Sequence, residues 1–158
     1  MLDLNRDVSS TTDREIVLTR LLDAPRALVF EAWTKPEHLD RWWGPRGFRT
    51  ATDAMDVRPG GSWRYVMRHD EHGSFDNLIT YREVVPDERL VYSHGTNEES
   101  PEEFHVTVTF ADEGGKTRLG MRMVWPTPEA LEAVRKYGVG DGGNQTLDRL
   151  AEFLAERA

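Results

Sequence analysis

The run Gly142-Gly-Asn-Gln-Thr-Leu-Asp-Arg-Leu-Ala-Glu-Phe-Leu-Ala-Glu156 decides how the rest of the chain has to fold. Leu147, Leu150, Ala151 and Leu154 recur at i, i+3, i+4 and i+7 and make one apolar stripe on a helix. Asp148, Glu152 and Glu156 fall on the opposite, solvated face. Such a helix buries its stripe against a second layer, and upstream the only large apolar surface is offered by strands.

Those strands are legible in the residues that precede the helix. Glu15-Ile-Val-Leu-Thr-Arg-Leu-Leu22 is β-branched and reads as a first strand. Asp23-Ala-Pro25 opens a short helix with Leu28, Val29, Ala32 and Trp33 inward. Lys35-Pro36-Glu37 opens a second helix through His38, Leu39, Trp42 and Trp43, ended by Gly44-Pro45. From there the period is two. Asp53–Val57 reads as a short strand, and Trp63, Tyr65, Met67 and His69 share one face of the next, with Arg64 and Arg68 on the other. Phe75–Val85 is a long strand. Leu90, Tyr92 and His94 alternate inward after it, then Phe104, Val106, Val108 and Phe110, then Leu119, Met121, Met123 and Trp125, with Arg118 and Arg122 outward. Turns fall at Arg58–Gly61, Asp70–Gly73, Pro86–Glu88 and Asp112–Gly115. Thr127-Pro-Glu129 caps a helix reaching Tyr137, and glycines at 138, 140, 142 and 143 break the chain before the last helix.

The expected class is therefore α+β. An antiparallel sheet of about seven strands in hairpin succession surrounds a long C-terminal helix, and two short helices follow the first strand. Residues 1–13 are expected to be a flexible leader and 14–157 a single domain, the size of which suffices for a real core. The inner face of the sheet carries Trp, Tyr, Met and His in place of a plain Leu/Val/Ile set. Such side chains line ligand pockets, and they also fill ordinary cores.

Bulk composition excludes several functions. A net charge of −8 argues against a nucleic-acid groove or an anionic membrane partner. No stretch has the length of a membrane span, and no apolar leader opens the chain, so a cytoplasmic location is expected. The absence of cysteine removes disulfides, thiol nucleophiles and thiolate metal sites. Gly138-Val-Gly-Asp-Gly-Gly143 matches the dinucleotide fingerprint by letter, but a helix precedes it where a strand is required, so it reads as a hinge between helices. His69-Asp-Glu-His72 sits on a two-strand turn, where side chains three apart do not share a face. No metal and no cofactor are expected. No nucleophile elbow occurs. His69 and His94 fall on inward faces and are the candidates for acid–base work, against the plainer role of hydrogen-bonded core histidines. The adjacent Trp42 and Trp43 are expected to divide, one packing inward and the other covering a pocket mouth or a partner surface.

Ala24-Pro25, Val29 to Leu39, Trp42-Trp43-Gly44-Pro45, Gly47-Phe48, Asp56 to Trp63, Glu83 to Val91, Thr117-Arg-Leu119, Thr146 to Leu150 and Phe153-Leu154 together resemble the activator of heat shock protein 90 ATPase homologue family, within the START-like (SRPBCC) superfamily. The resemblance spans about residues 14–157. It implies a helix-grip fold, with a cavity between sheet and C-terminal helix that takes lipids, steroids, polyketides or other apolar molecules. Some superfamily members are cyclases or aromatases. The family often has Gly-Trp at the start of its last helix where this chain has Gly143-Asn144, which implies a wetter or roomier pocket here.

The leading expectation is a binding domain for an apolar or aromatic small molecule. Its ligand would contact Trp42, Trp43, Trp63, Tyr65, Met67, His69, Tyr92, His94, Met121, Met123, Trp125, Asn144 and Leu147. One alternative is a cyclase- or hydrolase-type enzyme using His69 or His94; another is a chaperone-associated stress-response protein. The resemblance disfavours a chaperone partner, because eukaryotic activators match only through their C-terminal domain. A homodimer stays open.

Overall fold

The computed structural model describes residues 6–9, 13–136 and 138–157. Eight strands form one curved antiparallel sheet: β1 (Arg6–Ser9), β2 (Glu15–Leu22), β3 (Phe48–Met55), β4 (Ser62–His69), β5 (Gly73–Val85), β6 (Arg89–Gly95), β7 (Phe104–Glu113) and β8 (Lys116–Val124). The spatial order is β1-β2-β8-β7-β6-β5-β4-β3. Hairpins join β3 through β8 in sequence, and β2 closes against β8 with Leu18 opposite Met121. The helices are α1 (Arg26–Thr34), α2 (Pro36–Trp42), α3 (Pro128–Arg135) and α4 (Val139–Glu156). Register breaks at Thr52/Ala54 and Tyr81/Glu83 insert an extra residue into β3 and β5, and a bulge of this kind bends the strand that carries it.

The core lies between the concave face and the helices. Leu147, Leu150, Phe153 and Leu154 of α4 are buried there with Leu18, Val29, Trp42, Trp63, Tyr81, Val108 and Leu119. The helical stripe sits as its spacing requires, with Phe153 added and Ala151 only partly covered. Asp148 departs from the solvated face expected of it. It is half-buried and pairs at 2.9 Å with Arg20, a cation on the inner face of β2 that is 4 % exposed.

Four local expectations change. The stretch expected to be a loose leader contributes β1, whose Arg6 pairs in register with Arg20 of β2; a polar segment needs only backbone hydrogen bonds to add to an open edge. The strand expected over Asp53–Val57 is β3 and begins at Phe48, because Phe48, Thr50 and Thr52 pair with His69, Met67 and Tyr65. The helix expected to reach Tyr137 ends at Arg135, and Tyr137 lies outside the described residues. The glycine run expected to be a hinge instead forms the first turns of α4, with Gly138 at its N-cap in the left-handed conformation (φ 73°). Its helical glycines have a packing role. A Cβ on Gly143 would lie 2.6 Å from Leu18 Cδ1, so glycine lets α4 approach β2.

Both adjacent tryptophans are buried, where only one was expected to pack inward, and Trp43 alone of the two also reaches a recess beside α4. Trp42 is the last residue of α2; its ring meets Trp33 edge-on at 5.2 Å and its Nε1 donates to Ala32 O at 3.0 Å. Trp43 has already left the helix (φ −68°, ψ 137°), and that turn swings its ring onto β4, 5.1 Å from Trp63. The helix ends between them, so helical geometry does not force the two rings apart.

Candidate functional site

A recess of about 230 Å³ opens between the first turns of α4 and the concave face of the sheet. Tyr65 and Met67 of β4, His94 of β6, Phe104 of β7 and Met121 and Met123 of β8 line the sheet side. Trp33 of α1 and the rim residues Trp43, Gly44 and Pro45 line another, and Gly138, Gly142, Gly143, Thr146 and Leu147 close it from the helix. Glycines at the helix wall leave space that side chains would fill. The lining is mostly carbon and sulfur, and among the described residues no charged side chain belongs to it. A larger hollow of about 440 Å³ lies over β3 to β5, but Asp53, Arg64, Arg68, Asp76 and Glu98 wall it, and Arg64 pairs with Glu98. That hollow suits water better than an apolar guest.

The polar atoms of the recess wall are ordered by one another. Trp43 Nε1 donates to Tyr65 Oη at 2.9 Å, Tyr65 Oη lies 3.1 Å from His94 Nε2, and His94 Nε2 lies 3.2 Å from Asn77 Oδ1. Tyr65 also stacks on Trp63 with ring centroids 4.0 Å apart. Burial raises the Tyr65 pKa well beyond the ordinary phenol value, so the hydroxyl keeps its proton. Burial lowers His94 to about 4, so its ring is neutral near pH 7. Thr146 is spoken for, since its hydroxyl donates to Gly142 O at 3.0 Å.

Of the residues singled out from sequence, Trp43, Tyr65, Met67, His94, Met121, Met123 and Leu147 come together at the recess. The others lie elsewhere. Trp42 and Trp63 are core residues, Trp63 donating to Thr52 Oγ1 at 3.1 Å. Tyr92 is buried beside Tyr81, deeper between sheet and α1. Trp125 lies just behind, stacked on Phe104 at 4.8 Å. Asn144 turns away towards β2, where its side-chain and main-chain oxygens accept from Arg20 Nη2 at 3.4 and 3.3 Å. His69 stays at the β4–β5 turn. Its Nδ1 accepts from the main chain of Glu71 and His72 at 3.0 and 3.2 Å, and its ring packs on Phe48. Among the described residues, no group of three or more His, Cys, Asp or Glu side chains is placed to hold a metal.

Sequence reasoning missed Trp33, Phe104, the Gly44-Pro45 rim and the helical glycines. Trp33 and Phe104 carried a signal, since both fall on inward faces. The rim did not, because its position depends on Arg149 of α4. Arg149 Nη1 lies within hydrogen-bond reach of Trp43 O, Gly44 O, Pro45 O and Phe48 O at 2.9–3.3 Å, and Nη2 donates to Arg41 O at 3.2 Å. Gln145 Oε1 adds an acceptor for Arg46 N at 3.1 Å.

A curved antiparallel sheet closed on a long C-terminal helix, with a recess between them, defines a helix-grip domain of the START-like type. The chain belongs to the family described as Activator of Hsp90 ATPase homolog 1-like protein, whose model matches residues 23–155. Solved structures agree on the fold. A Mycobacterium smegmatis protein superposes with a TM-score of 0.87 at 22% identity, covering 96% of this chain and 98% of its own. A Nitrosomonas europaea protein gives 0.84 at 24%, covering 94% and 98%. CalU16 of Micromonospora echinospora gives 0.63 at 22%, covering 94% and 83%. No curated protein matches the sequence. Among the described residues, no helix is long and apolar enough to cross a membrane.

Proposed function

We propose that the chain binds a small apolar or aromatic molecule in the recess under α4. The observation that carries this is the lining itself: Trp33, Trp43, Phe104, Met121 and Met123 surround about 230 Å³ with no charged side chain among the described residues. Such walls favour a guest whose apolar surface leaves water, at roughly 25 cal/mol per Å² buried. Methionines let the walls adjust to its shape. Native mass spectrometry of freshly purified protein, followed by a thermal-shift screen of apolar and aromatic metabolites, tests the reading. A ligand present at about a hundred times its Kd stabilises the fold by about 2.7 kcal/mol, a readily measured rise in Tm. A protein that carries no adduct and shifts with no member of the screen refutes it.

A second reading, an enzyme of cyclase or hydrolase type, is favoured by one distance, the 3.1 Å between His94 Nε2 and Tyr65 Oη. Electrostatics weigh against it. Burial makes His94 a weaker base and Tyr65 a weaker acid, so moving a proton between them would create two charges in an apolar wall. A chaperone-activating role is separable by experiment, since added protein would then raise the ATPase rate of a bacterial chaperone homologue.

A further inference from the structure

Two donors at the recess wall lack an acceptor: Trp33 Nε1–H, which is buried with no hydrogen-bond partner among the described residues, and one further donor in the network around Tyr65. Asn77 settles which donor that is. Its Nδ2 donates to Phe75 O at 3.1 Å, so Oδ1 is the atom that faces His94 Nε2 at 3.2 Å. Exchanging the two amide atoms would set an oxygen against the Phe75 carbonyl. Oδ1 can only accept, so Nε2 carries the hydrogen, and in a neutral ring Nδ1 is then bare. The same Nε2–H lies 3.1 Å from Tyr65 Oη, which already accepts from Trp43 Nε1–H at 2.9 Å. An indole nitrogen is a donor only. Two donors thus converge on the Tyr65 oxygen, and neither has a lone pair to offer in return. The Tyr65 hydroxyl hydrogen makes no hydrogen bond among the described residues, on a side chain that lines the recess.

We propose that the recess selects a neutral apolar or aromatic molecule bearing an acceptor oxygen of the ketone, aldehyde or ester kind, which takes the hydroxyl hydrogen of Tyr65. The inference rests on reading the recess as a ligand site and adds to it the polar group the ligand carries. The two incoming hydrogen bonds polarise the O–H and strengthen it as a donor. They also hold the oxygen in place before any ligand arrives, which lowers the entropy lost on binding. A carboxylate is the wrong guest. Among the described residues no cation lines the recess: Arg149 is turned to the rim carbonyls and Arg20 to Asn144 and Asp148, so an anion would be buried without a counter-charge.

The test pairs 2-acetylnaphthalene with 2-isopropenylnaphthalene, which has the same shape with C=CH₂ in place of C=O. Equilibrium dialysis measures both against wild type and Tyr65→Phe. Wild type is expected to bind the ketone roughly 2–12-fold tighter, the span of a net neutral hydrogen bond. In Tyr65→Phe the ketone preference is expected to vanish or reverse, because its oxygen would then leave water without a partner. Equal binding of the pair by wild type overturns the acceptor preference while leaving the ligand site standing. A ketone preference that survives in Tyr65→Phe overturns the assignment to Tyr65. Failure of wild type to bind either probe overturns this inference, and the ligand site falls with it only if the metabolite screen is negative as well. A second measurement needs no variant to fold in order to be decisive. Nitrogen-15 NMR of the imidazoles is expected to show His94 as the Nε2–H tautomer, and an Nδ1–H tautomer overturns the count, because Tyr65 would then donate to His94.

Discussion

Replacing Arg149 with methionine tests whether the rim of the recess hangs from α4. The unbranched methionine stem would retain the packing of the arginine methylenes, so the change isolates the guanidinium. Nη1 has two hydrogens for four nearby carbonyl oxygens and Nη2 supplies the bond to Arg41 O, which amounts to three hydrogen bonds shared among five acceptors. Hydrogen bonds from a charged donor contribute about 1.5–3 kcal/mol each when fully buried. Arg149 is only half-buried, and water can reach part of the rim once the side chain is gone, so the net cost is about 2–4 kcal/mol. For a chain of this size that lowers Tm by roughly 5–15 °C. Thermal unfolding followed by circular dichroism measures it, and hydrogen exchange is expected to accelerate over residues 43–48 ahead of the rest. Arg46→Gln is the control: it removes a solvent-exposed ion pair with Glu152 and is expected to leave Tm close to that of wild type. An Arg149→Met protein within about 0.5 kcal/mol of wild type, an ordinary surface effect, would refute the reasoning.

Three further outcomes are expected. Leu150 of α4 is fully buried, so Leu150→Ala costs about 2–5 kcal/mol in urea unfolding, whereas a cost under about 1 kcal/mol would mean α4 is not gripped by the sheet. Gly143→Ala is destabilised by contact with Leu18, while Gly142→Ala, whose Cβ would meet only Pro45 Cγ at 3.4 Å, gains up to about 1 kcal/mol of helix propensity; the reverse order in thermal melts would show that α4 does not sit this close to β2. Burial holds His94 at about 4 in the folded chain against 6.5 unfolded, so the unfolded state binds the extra proton. Stability is then complete above about pH 6.5 and falls towards pH 4 by at most about 1.4 kcal/mol per unit. His38 and His105, also lowered chiefly by burial, act in the same direction, so the readout is a difference: between pH 7.5 and 5.0 wild type loses more stability than His94→Gln, and equal losses would contradict a buried neutral ring.

Periodicity was sufficient for the architecture and insufficient for the site. The inward sets on β4, β6, β7 and β8 follow from alternation alone, because a strand side chain has only two faces to choose from. Alternation names a face but not a depth. Tyr65 and Tyr92 both point inward, yet one lines the recess and the other is sealed beside Tyr81. His69 shares the parity of Tyr65 and Met67, but it stands at the end of β4, where the turn captures its Nδ1.

By itself the sequence determined the α+β class, the hairpin order of the strands, the apolar stripe of α4 and the family, since each of these depends on local spacing or on residue identity. Tertiary structure alone decided the rest. Trp43 turns inward because α2 stops one residue before it, and Arg149 reaches the rim only because α4 passes beside it. Gly143 is a contact point and not a hinge because Leu18 lies beneath it. Asn144, the residue where this chain departs from the family's Gly-Trp pair, is claimed by Arg20 from 124 positions away. These outcomes are set by which distant groups compete for one hydrogen bond or one space, and that competition exists only once the chain has closed on itself.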